Sequence, residues 1–154
     1  MKLLFKVVLI FIATMLVASS MAADNRATPE EAREMLKKAV AYLKAHGKEK
    51  AFVKFSNKQG EFVDRDLYLT VYDFKGKTVA HGINPRMVGK DNIMLQDANG
   101  KLLIKERIEI ATAKGGGIQE YKFFNPVSKE IEQKVMFFEV VGDVIVACGA
   151  YKPN

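Results

Sequence analysis

A phenol at Tyr121 and an ammonium at Lys134 stand on either side of the turn-forming stretch Asn125-Pro126-Val127-Ser128-Lys129-Glu130. Both flanking runs alternate as strands do, so Tyr121, Phe123 and Asn125 share one face and Lys134 shares a face with Met136 and Phe138. If the register sets Tyr121 opposite Lys134, a hydroxyl, an aromatic wall and a cation converge on one patch of sheet, which suits a small carboxylate. Lys134 is followed by Val135 and the apolar run Met136 to Phe138. Turned inward, its ammonium needs an anion; turned outward, it is one more surface lysine.

Other chemistries are poorly served. Gly115-Gly116-Gly117 lacks the Gly-Lys-Ser/Thr sequel of a phosphate-binding loop, and no nucleophile elbow occurs. Two histidines and a single cysteine make no convincing metal triad, haem attachment or intrachain disulfide. Glu106 and Glu109 lie three apart on a helical pattern and read as solvated charges. Cys148 sits in the apolar run Val144 to Tyr151 and reads as an inert buried thiol. A non-enzyme without a cofactor is expected.

The elements that must position these groups are legible in order. Lys2 and Lys6, the apolar run Val7 to Ala18 and the small residues at Ser20-Met21-Ala22 predict a signal peptide over 1–22, cleaved after about Ala22. Export to the periplasm or the exterior follows, or membrane anchoring if the leader stays uncleaved. Loss of Lys2 and Lys6 lowers the net charge of +6 by two, a mild and scattered excess that excludes nucleic-acid binding as the main reading. Residues 23–154 have the length of one domain with a real core.

Thr28, Pro29 and Glu31 predict a capped helix start, and Ala32, Leu36, Ala39, Val40 and Leu43 an apolar stripe that stops at His46-Gly47. A shorter helix is expected over Lys48 to Phe55. Asp66 to Ala80 reads as a hairpin turning at Asp73–Lys77, and His81 to Asn99 is too long for a plain connection, which favours a functional loop. Lys101 to Ala113 regains helical spacing through Leu103 or Ile104, Ile108 and Ala111. Ile118 to Tyr151 reads as a three-stranded antiparallel meander. The sum is α+β, a five-stranded antiparallel sheet with a long N-terminal helix and a helical and loop insert.

The ordered set D-x-Y-x-x-V-Y-D-x-x-G at Asp66 to Gly76, His81, Gly89-Lys90-Asp91, Asp97 to Lys101, the three glycines, Tyr121-Lys122-Phe123, Asn125-Pro126, Lys134 and Cys148 to Tyr151 resembles a type 2 single Cache domain. The resemblance spans nearly all of residues 23–154. It implies a PAS-like, extracytoplasmic sensor module recognising small organic acids, attached to a membrane chemoreceptor or kinase. It also implies Tyr72, His81, Tyr121, Phe123 and Lys134 as pocket residues. On this reading the carboxylate meets Lys134, Tyr121 and His81, while Tyr72 and Phe123 pack the apolar end. Tyr72 and Phe123 serve equally as core aromatics, and His81 equally caps local backbone. The chain departs from the family pattern in having Gly82 after the histidine, Ile118 after the glycines and Phe123 in place of tryptophan. Because the sequence stops at Asn154, no output domain is expected in it. The other reading is a non-catalytic accessory protein that docks on a membrane partner without a metabolite.

Overall fold

The computed structural model describes residues 25–152; the expected signal peptide lies outside them. Helix α1 (Pro29–Phe55) starts where the capping residues place it. Thr28 accepts from the Glu31 backbone through its hydroxyl, and the Glu31 carboxylate accepts from the Thr28 backbone, satisfying amides that have no partner in the first turn. At Gly47 the backbone leaves helical geometry with φ of 75°. The expected stop is therefore a kink joining two helical segments. Glycine takes this positive φ without the steric cost a Cβ would bring.

The sheet contains β1 (Val63–Asp64), β2 (Leu67–Asp73), β3 (Thr78–His81), β4 (Gly116–Phe124), β5 (Ile131–Val141) and β6 (Val144–Lys152). Its order is β1-β2-β6-β5-β4, with β3 also paired to β2 and every pairing antiparallel. The expected five-stranded arrangement gains only the two-residue β1. Because side chains alternate across the pleat, the sheet separates two cores. On one face Leu67, Leu69, Val71, Val135, Phe137, Val146, Cys148 and Ala150 pack under the buried stripe of α1. The thiol of Cys148 is pushed up to about 12 by burial, which leaves it protonated and unreactive.

The opposite face is covered by α2 (Leu103–Lys114) and the segment that follows β3. That segment holds a short 3-10 turn at Pro85–Met87 and is tied back to the sheet. Asn92 Nδ2 donates to Thr78 Oγ1 at 2.7 Å, and the Gly89 amide to the Thr78 carbonyl at 2.8 Å. Among the described residues no helix is long and apolar enough to cross a membrane.

Candidate functional site

The sheet face under α2 carries a cavity of about 130 Å³. Strand β2 contributes Tyr68, Thr70 and Tyr72, three successive positions on one side of the pleat. Tyr121 and Phe123 enter from β4 and Met136 from β5. The roof is Leu103, Ile104 and Arg107 of α2, and one side is closed by His81, Asn84, Met87 and Leu95. The long segment after His81 thus supplies part of the wall, as its length led us to expect.

Arg107 is the group that sequence reasoning missed. It lies on the buried stripe of α2 with Leu103, Ile104 and Ala111 and is 1 % exposed. Its Nε and Nη2 donate to Gln119 Oε1 at 3.2 and 2.8 Å, and Nη2 reaches the Tyr121 hydroxyl at 3.5 Å. The Tyr72 side chain is a further hydrogen-bond partner of the guanidinium. Gln119 is itself oriented, since its amide nitrogen donates to the Leu103 carbonyl at 3.0 Å and to the Glu106 carboxylate. The guanidinium faces the rings of Tyr72, Tyr121 and Phe138 at 5.3 to 5.9 Å. No carboxylate forms a salt bridge with it among the described residues. A buried cation matched only by neutral dipoles and ring faces is a site prepared for an anion.

Of the residues expected at the site, Tyr72, His81, Tyr121 and Phe123 line the cavity. The register sets Tyr121 opposite Lys134, and Lys134 in turn opposite Tyr151. Lys134 points inward and is 1 % exposed, yet its ammonium lies behind the cavity wall. It sits 4.1 and 4.2 Å from the ring centroids of Tyr68 and Tyr151 and donates to the Tyr68 hydroxyl at 2.9 Å. The Tyr68 hydroxyl is 3.4 Å from that of Tyr151, which donates to the Phe124 carbonyl at 2.8 Å. Tyr68 thus stands between the ammonium and the cavity. In the sequence Tyr68 and Tyr151 stand out only as members of the ordered set from Asp66 to Tyr151.

Electrostatics follow from this burial. Desolvation lowers the Lys134 ammonium to about 7; Cys148 opposes it, the positive charge of Arg107 adds to it, and Asp66 opposes it more weakly. Burial, followed by the charges of Lys134 and Lys58, lowers His81 to about 4. Burial raises the Tyr121 phenol to about 12 even though Arg107 opposes it. Near neutral pH, Lys134 is therefore the cavity-side group able to change charge.

Gly149 leaves the space that the Lys134 stem occupies. A Cβ there would lie 2.7 Å from the Val135 carbonyl oxygen and 3.0 Å from Lys134 Cε. Gly149→Ala is expected to cost about 1–3 kcal/mol of stability by overpacking, measured by urea denaturation; an unchanged midpoint would show that the strands part freely here.

The chain is similar to known proteins. The sequence matches the Single Cache domain 2 family over residues 4–152. The sensor histidine kinase MctS of Rhizobium johnstonii is 34% identical over 73 residues, 47% of this chain and 16% of that protein, so the chain spans about a sixth of this curated relative. The crystal structure of a methyl-accepting chemotaxis protein from Vibrio parahaemolyticus superposes with a TM-score of 0.68 at 25% identity, covering 79% of this chain and 86% of that one. A Cache chemosensory domain solved for carboxylic acid recognition gives 0.63 at 19% identity, with 80% and 88% covered. With an α+β sheet, a capped N-terminal helix and a cavity roofed by the second helix, this chain belongs to the Single Cache domain 2 family and is a Cache sensor domain related to those of chemoreceptors and histidine kinases.

Proposed function

We propose that the domain is a non-catalytic sensor module that binds a small organic acid, with the carboxylate on Arg107 and Tyr121 and the carbon skeleton against Tyr72, Phe123 and Met136. The observation that carries this reading is Arg107, buried without a carboxylate partner among the described residues and held only by neutral side chains. A bound carboxylate supplies the missing countercharge and fits the planar fork of a guanidinium. Lys134 contributes a second positive charge from behind Tyr68, and His81 faces the ligand from the loop side. That a related fold was solved for carboxylic acid recognition agrees with this chemistry.

The signalling partner in this proposal is a membrane receptor or kinase, in keeping with the kinase and chemoreceptor relatives. The N-terminal Lys2/Lys6 and apolar pattern supports export, with the domain working outside the cytoplasm. Size sets the affinity range. An acid of about four to six heavy atoms gains at most roughly 6 to 9 kcal/mol, which corresponds to micromolar binding at best over most of that range. Such affinity suits the sensing of metabolites.

Thermal unfolding with a panel of two- to five-carbon acids tests the reading. An acid present at about 100 times its Kd should add about 2.7 kcal/mol of stability. A flat response across acids, with amines and neutral amides as controls, would overturn acid sensing and leave docking on a partner without a metabolite.

A further inference from the structure

The cavity has a polar end that the carboxylate does not use. His81 closes β3 directly opposite Thr70 of β2, and both line the cavity. His81 Nδ1 accepts from the backbone amides of Ile83 at 3.3 Å and Asn84 at 3.1 Å. An imidazole nitrogen that accepts carries no proton, so the ring proton of neutral His81 is on Nε2. The ring is stacked on Tyr68 at 5.2 Å between centroids and 19° between planes, which fixes the direction of that N–H. With its pKa lowered to about 4 by burial and by Lys134 and Lys58, the ring stays neutral above pH 5.

Thr70 is 2 % exposed, and its hydroxyl has no hydrogen-bond partner among the described residues. The hydroxyl and methyl of a threonine are nearly equal in size, so a turn about χ1 exchanges them and presents the hydroxyl where the methyl was. A hydroxyl without a partner loses nothing by that turn. Arg107 stands over Tyr72, the next position on the same face of β2, about 7 Å along the strand from Thr70.

We propose that Thr70 and His81 form a second, uncharged subsite that recognises an oxygen on the ligand's carbon skeleton, so that the preferred ligands are short hydroxy or oxo acids. This rests on the carboxylate reading of Arg107. One carboxylate pairs with the guanidinium, and a second one here would meet the neutral donors of His81 and Thr70 directly, with Lys134 screened behind Tyr68, and so would be desolvated without an ion partner in contact. A plain alkanoate would leave the His81 N–H and the Thr70 hydroxyl without partners. Sites built to bond an oxygen discriminate strongly against analogues that lack it.

Calorimetric titration at pH 6.5, a condition chosen within about half a unit of the point where Lys134 titrates, compares propanoate, 2-hydroxypropanoate, 2-oxopropanoate and butanedioate. At least one oxygenated three-carbon acid should bind about tenfold or more tighter than propanoate. His81→Asn keeps an acceptor for the Ile83 and Asn84 amides and removes the Nε2 donor. Thr70→Val keeps the side-chain shape and removes the hydroxyl. Each variant should shrink the preference to less than about threefold, with the loss falling on the oxygenated acids. The subsite is overturned if propanoate or butanedioate matches the oxygenated acids, or if the preference survives in both variants. Failure of all four acids to bind the wild-type protein removes the carboxylate reading itself.

Discussion

Arg107→Met is expected to abolish organic-acid binding, lowering affinity by at least about 100-fold, while leaving the folded domain as stable as before or more so. The two effects have one cause. The guanidinium is buried with neutral hydrogen-bond partners, Gln119 Oε1 and the side chains of Tyr121 and Tyr72. In the unliganded domain its charge therefore lacks a countercharge within contact, and removal costs little beyond the freed Gln119 oxygen. In the complex the same charge faces a carboxylate, and without it that carboxylate is buried unpaired, which costs about 3–5 kcal/mol. Methionine matches the length of the stem and fills the place between Leu103 and Ala111.

Arg107→Lys provides the graded control. It keeps a positive charge but loses the planar fork, so it should bind about tenfold more weakly than wild type rather than lose binding altogether. Calorimetric titration of the tightest acid found by thermal unfolding, run beside melting curves, checks both variants. Retention of wild-type affinity by Arg107→Met would remove the proposed anchor. A methionine variant that lost both its fold and its binding would show instead that the guanidinium is part of the core.

Why Arg107 escaped sequence reasoning is instructive, because its signal is local. The spacing of Leu103 or Ile104, Ile108 and Ala111 marks α2, and Glu106 and Glu109 are its more conspicuous candidates for chemistry. Arg107 occupies i+4 from Leu103 and i−4 from Ala111, the buried side of that helix. An arginine on an apolar stripe is the anomaly to notice, since charged groups are rarely fully buried without partners. The capping box at Thr28 and the turn at Asp73–Lys77 were legible for the opposite reason: neighbouring residues determine them. Whether Tyr121 faces Lys134 depended on a hairpin register that alternation alone leaves open, and the structure supplies that pairing.

The surroundings of the Lys134 ammonium were beyond local reading altogether. Its two ring neighbours come from β2 and β6, and only the order β2-β6-β5 brings Tyr68 and Tyr151 to it. Thr70 and His81 meet for a similar reason, since β3 closes on β2 after a turn whose length was visible but whose register was not. Non-local strand order therefore decides which polar residues share the cavity, while local pattern decides only which face of its own element each one takes.

The ammonium of Lys134 should make acid binding depend on pH, with affinity rising as pH falls from about 9 to about 6. Its pKa near 7 in the unliganded domain means that the group is mostly neutral at the alkaline end and mostly charged at the acid end. A nearby carboxylate favours the charged form, so binding takes up a proton, and linkage then requires tighter binding where protons are plentiful. The other groups facing Lys134 do not compete in this window. His81 stays neutral, Tyr68, Tyr121 and Tyr151 stay protonated because burial raises them, and Cys148 is held up to about 12.

Stability runs the other way. In the unfolded chain the lysine keeps its ordinary pKa near 10.5, so between about 7 and 10.5 the unfolded state holds a proton that the folded state has given up. Lys134 therefore contributes a stability that rises with pH through that window, and at or below pH 7 the domain bears the cost of a buried ammonium. Lys134→Met should raise stability at pH 6 by about 1–4 kcal/mol, flatten the slope between pH 7 and 10, and remove the pH dependence of acid binding. Guanidinium denaturation across pH 6 to 10 and titrations at both ends measure all three. A methionine variant less stable than wild type at pH 6 would mean that the rings of Tyr68 and Tyr151 more than offset desolvation. An acid affinity that still climbed toward low pH in that variant would place the responsive proton on another group.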